Sequence, residues 1–181
     1  ADTVARLIGQ GLSEKLHQTV VVENRGGAGG NIAAGIVARA QGDGYTLLVT
    51  TTALAINATL HQTNPFKPED FATVAIAASS PEALVTSPDN PAKDLAEFVR
   101  MAKDKPVTFG SAGVGSGSHV EAEYFLKELA HVKATHVQYQ GGAPELNATL
   151  GKQIDLLATT LGGAAAAQIK AGTLKGLGIA A

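Results

Sequence analysis

The same order of predicted elements occurs twice along this chain, and that repeat is its strongest constraint on the fold. In each half a helix is followed by a short strand, a Gly-Gly-Ala turn, a second helix and a strand that ends in two threonines. The turns are residues 26–28 and 141–143, and the threonine pairs are Thr51–Thr52 and Thr159–Thr160. Because strands that alternate with helices form βαβ units, the repeat predicts an α/β fold of two related lobes with parallel strands.

The predicted elements divide the chain into three parts. The predicted strands are residues 19–23, 45–50, 71–78, 107–111, 135–139, 154–160 and 174–180. We expect lobe 1 over residues 1–80, a crossover, hinge and linking helix over 81–106, and lobe 2 over 107–181. Parallel sheets bind ligands beyond the carboxyl ends of their strands, and a cleft between two lobes is a usual ligand site. A ligand is therefore expected between the lobes.

Composition excludes several classes of function. The formal net charge is −2 and aromatic residues make up 4 %, whereas a nucleic-acid binder normally has a basic stripe and stacking aromatics. The absence of cysteine excludes thiolate metal sites and cysteine nucleophiles. The histidines are His17, His61, His119, His131 and His136. No two have the i, i+4 spacing of a helical zinc site, so neither a metal nor a cofactor is expected, and surface or capping roles are expected for all but His119.

The strongest local signal is a glycine- and serine-rich loop, residues 110–119, between a predicted strand and a predicted helix. Glycines let the backbone approach a ligand closely, and free amides at a helix start favour an anion. Ser118 is the predicted first residue of the helix, with Glu121 completing a capping box. The candidate ligand-binding residues here are Ser111, Ala112, Gly113, Gly115, Ser116, Ser118 and His119. The alternative is that the glycines only form a tight turn.

Enzyme motifs do not fit the same loop. A phosphate-binding P-loop needs Lys after its last glycine, but Gly115 is followed by Ser116. A nucleophile elbow needs glycines two residues before and after its serine, and Ser116 has Val114 and Ser118 there. No histidine follows Asp155, so an acyl-transfer triad is unsupported. An α/β enzyme acting on an acyl or phosphoryl substrate and a sensory binding module stay open as alternatives.

Further candidate ligand residues lie at the other predicted turns. They are Asp2, Thr51, Thr52, Gly142, Ala143, Thr159 and Thr160. The threonines stand at predicted strand ends, where hydroxyls can donate to a ligand, although threonine is also common in β-structure. Asp2 is either the N-cap of the first helix or a cleft residue. The candidate segments after Gly30 contain no Arg or Lys, so an anion would be held by backbone amides, hydroxyls and water.

Four segments carry a family resemblance along essentially the whole chain. They are VVVENRGGAGGNIAAGIVARAQGDGYTLLV, INATLHQTNPFKPEDFATVA, FGSAGVGSGSHVEAEYF and VQYQGGAPELNATLGKQIDLL. They resemble the Bug-type receptors of the TctC family, the extracytoplasmic solute-binding subunits of tripartite tricarboxylate transporters. The resemblance implies a type II periplasmic-binding fold with a closing cleft, a periplasmic location and no enzymatic activity. It also implies a small ligand, typically a carboxylate, which is handed to a membrane permease.

The resemblance also assigns individual residues. Residues 111–119 match the second ligand loop of the family, Thr159 and Thr160 correspond to its strand-end residues, and Asp2 resembles the end of its first ligand loop. The chain begins too late to include that first loop and lacks the segment that returns to lobe 1, so we expect an incomplete lobe 1. Exposed sheet edges pair readily with other chains, and we therefore expect a non-native or swapped homo-oligomer.

Overall fold

The computed structural model describes residues 1–60 and 63–180, and the chain forms two compact units. Unit 1 is Ala1–Ser79 and unit 2 is Ser80–Ala181. Unit 1 contains helices α1 (Asp2–Leu16), α2 (Asn31–Ala38) and α3 (Ala53–Leu60), with short 3-10 turns at Ala28–Gly30 and Pro68–Asp70.

Helix α1 begins at its predicted cap, one residue earlier than expected. Asp2 is the first helical residue and Ala1 is the N-cap, so the prediction of an Asp2 N-cap is wrong. The carboxylate of Asp2 instead accepts hydrogen bonds from Arg6, one turn along the helix, and from Asn24. An acidic side chain in the first turn still interacts favourably with the helix dipole.

The three strands predicted for the first half are not formed in the described structure. No strand ladder of the described structure includes residues 19–23, 45–50 or 71–78. Most of their apolar side chains are exposed to solvent, with Val21 79 % and Ile76 91 % exposed. A β-branched segment becomes a strand only when a neighbouring strand satisfies its backbone N–H and C=O groups, and local propensity predicted the extended backbone but not a partner.

Unit 2 is built on one five-stranded mixed sheet. Its strands are β1 (Glu82–Thr86), β2 (Val107–Ser111), β3 (Ala134–Gln138), β4 (Leu156–Thr160) and β5 (Lys175–Ala180), in the spatial order β3-β2-β4-β1-β5. Strand β2 is parallel to β3 and β4, as predicted. Strand β1 is antiparallel to both β4 and β5, so the expectation of purely parallel strands is wrong. Helix α7 (Gly163–Lys170) joins β4 to β5 with a parallel sense, and β1 fills the gap between them in the opposite direction.

The segment 81–106 contributes to this unit. It supplies β1 to the middle of the sheet and helix α4 (Leu95–Ala102) to one face, and the Asp94 side chain caps α4 by accepting from the Glu97 amide at 2.8 Å. Its role as a hinge stays a prediction.

Side chains are buried on both faces of the unit 2 sheet. Leu156 and Ala158 pack into one cluster with Phe98, Phe109 and Leu126 of the surrounding elements. Leu157, the residue between them, packs into a second cluster with Val85, Leu146 and Leu174. Neighbouring residues of a strand point to opposite faces, so a strand covered on both faces is an unbroken apolar run. The segment Leu156–Ala158 has this pattern, in agreement with the central position of β4 in the sheet.

Candidate functional site

The carboxyl ends of β2, β3 and β4 meet at one edge of the unit 2 sheet, which we call the unit 2 edge. Ser111 at the end of β2 is paired with Gln138 at the end of β3, and Thr160 at the end of β4 is paired with Glu82 at the start of β1. The turns that leave this edge lead into α5 (Gly117–Glu123), α6 (Gly142–Leu150) and α7. The fold thus brings together all the candidate ligand residues of the second half of the chain.

The Gly/Ser loop is shaped by two glycines and one serine. Gly113 and Gly115 have φ values of 127° and 82°, a region that side chains other than glycine rarely adopt. The hydroxyl of Ser116 donates to the Gly113 carbonyl at 2.7 Å and accepts from the His119 amide at 3.2 Å. Ser116 is therefore the N-cap of α5, and the prediction that Ser118 starts this helix with a capping box is wrong. A cap needs an extended backbone, which Ser116 has and the first-turn residue Ser118 does not.

The remaining loop residues lie close to this cap. The hydroxyl of Ser118 is buried and lies 3.2 Å from that of Ser116, while Ala112 is half-buried. The Gly115 amide donates to Nδ1 of His119 at 3.4 Å, so the imidazole helps to hold the loop. Burial lowers the pKa of His119 below its ordinary value. That this loop binds a ligand stays a prediction.

A second histidine completes this cluster. Nε2 of His136, on β3, lies 2.7 Å from the Ser111 hydroxyl, and its ring centroid lies 4.1 Å from that of His119. Burial, with a further contribution from His119, lowers the pKa of His136 to about 4. The expectation of a surface or capping role for His136 is therefore wrong. Its contact with Ser111 follows from the β2–β3 register, which the sequence alone did not give.

The Ser111–His136 contact does not form a catalytic triad. Ser111 is fully buried, and Asp155 lies at the opposite end of the sheet, where its carboxylate accepts from the amide and hydroxyl of Thr108. A nucleophile must reach its substrate, and its base is normally oriented by a third group.

Two carboxyls at the end of β4, those of the buried Glu145 and the half-buried Glu82, were missed by sequence reasoning. Glu145, in the first turn of α6, is 1 % exposed, and its Oε1 accepts from the Thr159 hydroxyl at 2.8 Å. Oε1 of Glu82 accepts from the next hydroxyl, that of Thr160, at 3.0 Å. Burial, partly offset by the Thr159 hydrogen bond, raises the pKa of Glu145 to about 8, and burial also raises the pKa of Glu82. Glu145 is the only acid in the helix that follows the second Gly-Gly-Ala turn, a signal that could have identified it.

The start of α6 lies directly against this carboxyl pair. Gly141 is the N-cap of α6 at a φ of 100°, and Gly142 and Ala143 are its first, exposed residues. A Cβ placed on Gly142 would lie 3.7 Å from Oε1 of Glu145. The Glu145 carboxyl thus lies between two candidate ligand positions, Gly142 and Thr159.

The first-half candidates lie in unit 1. Hydrogen bonds from Asn24 and Arg6 lower the pKa of the exposed Asp2 carboxyl. Thr51 and Thr52 were predicted to end a strand, and this prediction is wrong. They lead into α3, and the Thr51 hydroxyl accepts from the Ala53 amide at 3.3 Å. That these residues share a ligand site with the unit 2 edge stays a prediction.

Residues 1–60 and 63–180 include no helix that is long and apolar enough to cross a membrane. Within the same residues, no group of three or more His, Asp or Glu side chains could hold a metal ion. His61 lies outside the described residues, so its predicted surface or capping role is not addressed.

Comparisons with known proteins agree with one another. The family model "Tripartite tricarboxylate transporter family receptor" (TctC) matches residues 4–181. Protein BugT of Bordetella pertussis is 34 % identical over 156 residues, which are 83 % of this chain and 47 % of BugT. The structure of R. palustris Rpa4515 with adipate matches with a TM-score of 0.93 at 32 % identity, over 98 % of this chain and 60 % of that one. MatC from Rhodopseudomonas palustris with bound malate matches with a TM-score of 0.84 at 34 % identity, over 99 % and 62 % of the two chains.

These matches confirm the family resemblance and the α/β fold of the periplasmic binding proteins, for the part of that fold that the chain covers. The chain spans about half the length of the curated relatives it matches. The matched family consists of solute-binding receptors and not of enzymes, which confirms the prediction of a non-enzymatic protein.

Proposed function

Because the chain belongs to the tripartite tricarboxylate transporter receptor family, we propose that it binds a small carboxylate at the unit 2 edge. The observation that carries the proposal is that the Gly/Ser loop and the starts of α5 and α6 open on the same edge. Amides in the first turn of a helix have no partner within the helix and attract anions. Two structural neighbours were solved with the dicarboxylates adipate and malate, which supports this class of ligand.

The hydrogen bonds of the free edge indicate which groups take the ligand. The hydroxyls of Thr159 and Thr160 already donate to Glu145 and Glu82, and that of Ser116 caps α5. The first-turn amides of Gly117, Ser118, Gly142 and Ala143 are the donors that we assign to the ligand. No Lys or Arg occurs in the segments at the unit 2 edge, which are residues 111–119, 141–145 and 159–163. The carboxylate is therefore bound without a cationic side chain.

The role of the whole protein follows from the family. We infer that the receptor works in the periplasm, that Asp2, Thr51 and Thr52 add contacts from unit 1, and that the ligand passes to a membrane permease. A sensory receptor would use the same ligand site but would pass on a signal in place of the ligand.

Calorimetric titration of the chain with adipate and with malate tests the proposal. Saturable heat with at least one acid, and no new product in the mixture, is the expected result. The double variant Ser116→Ala, Ser118→Ala should bind about tenfold more weakly or worse, because it loses the α5 cap and the polar surface of the loop. Thr135→Ala, an exposed hydroxyl near the start of β3, is the matched control and should bind like the parent. Absence of heat with both acids contradicts the proposal, and acid turnover would favour the enzyme alternative.

A further inference from the structure

Glu145 is a buried carboxyl with only half of its hydrogen bonds made. It is 1 % exposed, Oε1 accepts from Thr159 at 2.8 Å, and Oε2 has no partner among the described residues. A buried carboxylate normally has a cation or several donors beside it, because removing a bare charge from water is costly. None of the ion pairs within the described residues includes Glu145. The uncharged acid fits this environment and the carboxylate does not.

The groups around Glu145 add no compensating charge. Strands β2 and β4 carry no titratable side chain, and Glu145 is the only titratable residue of α6. Glu82 on β1 acts on it as a like charge. His136 of β3 is bonded to Ser111, and Lys175 of β5 donates to the carbonyls of Asn90 and Ala92. Lys170 stands in the last turn of α7, at the end away from the unit 2 edge.

We propose that Glu145 must be an uncharged carboxylic acid for the unit 2 edge to accept a carboxylate, so that ligand binding and proton uptake are coupled. This inference rests on the proposed function and names the residue that governs it. A carboxylate bound at the first-turn amides of α6 would lie beside Glu145, because a Cβ placed on Gly142 is 3.7 Å from Oε1 of Glu145. At such short range like charges disfavour each other's ionisation. Where Glu145 is ionised, the arriving anion therefore draws one proton from solvent onto it, and no other bond is made or broken.

The direction and position of the Glu145 titration agree with this geometry. Burial raises its pKa to about 8, so the group is mostly protonated at neutral pH and ionises as the solution becomes alkaline. Only the protonated fraction binds, and one pH unit above the pKa that fraction is about one tenth. Affinity for a dicarboxylate should accordingly fall about tenfold between pH 6.5 and 9, where the ligand itself does not titrate.

The test is calorimetry of the 181-residue chain with malate and adipate at pH 6.5 and 9. Glu145→Gln, which keeps the shape of the neutral acid, should bind within about twofold of the parent at pH 6.5 and show no loss at pH 9. At pH 8, titrations in two buffers of different ionisation enthalpy should show about half a proton taken up per ligand by the parent and none by the variant. Glu128→Gln, an exposed acid in the π-helical segment Tyr124–Leu129 that continues α5, is the matched control and should behave like the parent.

Binding by the parent that is equal at both pH values, or a Glu145→Gln variant that keeps the parent's loss, overturns the inference and leaves the proposed function standing. If neither acid binds at either pH, the proposed function fails, and denaturant unfolding decides the charge state of Glu145. Because the pKa of Glu145 is higher in the folded chain than in the unfolded chain, ionisation of Glu145 favours unfolding. The equilibrium constant for unfolding should therefore rise up to tenfold per pH unit as the pH approaches 8 and level off above it. Loss of that rise in Glu145→Gln supports the uncharged acid, and an unchanged rise overturns it.

Discussion

The hydroxyl of Ser111, the last residue of β2, lies 2.7 Å from Nε2 of His136 on the neighbouring strand β3. The His136 ring in turn packs against His119, whose Nδ1 accepts from the Gly115 amide. A chain of contacts therefore connects the sheet to the Gly/Ser loop. Because two stacked imidazoles repel each other when both are protonated, the cluster is suited to neutral and alkaline solution.

Protonation of His136 should destabilise unit 2 in mild acid. Its pKa is about 4 in the folded chain and about 6.5 when unfolded, so the folded state binds fewer protons between these values. The stabilisation is complete above about pH 6.5 and is lost as the pH falls towards 4, by about 2 kcal/mol in the free energy of unfolding. Denaturant unfolding from pH 7 to 4.5 measures it in the Glu145→Gln background, because protonation of Glu145 would otherwise stabilise the folded chain over the same pH range. His136→Gln should lose most of this acid sensitivity, whereas His131→Asn, which changes an exposed histidine, should keep it. Equal pH slopes for the parent and His136→Gln contradict the prediction.

Gly113 should be the least replaceable residue of the Gly/Ser loop. Its φ of 127° strains any side chain, and its carbonyl must stay in place to accept from Ser116. We expect Gly113→Ala to lower the free energy of unfolding by about 1 to 3 kcal/mol and to weaken carboxylate binding. Gly42→Ala is the control, because Gly42 lies outside the unit 2 edge, has no positive φ and has no atom within 4 Å of its Cβ position. Similar effects of the two substitutions, measured by denaturant unfolding and calorimetry, count against a special backbone at Gly113.

Local sequence signals predicted unit 2 well and unit 1 poorly. Strand β2 has the predicted bounds, because Val107–Ser111 is both β-prone and paired on each side. Residues 19–23 have an equally strong β pattern, but no strand of the described structure pairs with them. The β propensity depends on the segment alone, whereas strand formation also requires a second strand to pair with. Long-range contacts also explain why the roles of His136 and Glu145 were not predicted: their partners Ser111 and Thr159 are distant in sequence.

Asp155 should stabilise the sheet at the end opposite the ligand edge. Its carboxylate accepts from the Thr108 amide at 2.8 Å and the Thr108 hydroxyl at 2.9 Å, which ties the start of β2 to the segment before β4. Asp155→Ala leaves both donors without this acceptor, and we expect a loss of about 2 kcal/mol in the free energy of unfolding. Carboxylate affinity at pH 7 should not change, because the unit 2 edge is not altered. Asp104→Ala, an exposed acid on the connection between α4 and β2, should cost less than about 0.5 kcal/mol. A loss of affinity in Asp155→Ala without a loss of stability contradicts this assignment.

The exposed extended segments of unit 1 should make the chain associate with itself. Val74 is 84 % exposed and Ile76 is 91 % exposed, and residues 71–78 lie outside the strand ladders of the described structure. Extended apolar segments with free backbone groups pair readily with a second copy. Light scattering from low to high micromolar protein should therefore show a rising mean mass. Val74→Lys with Ile76→Lys should reduce it, because a charge on an exposed strand opposes pairing, whereas Leu129→Lys, at an apolar residue of unit 2 that is 60 % exposed, should not. A mass equal to that of one chain at every concentration would show that these segments do not pair.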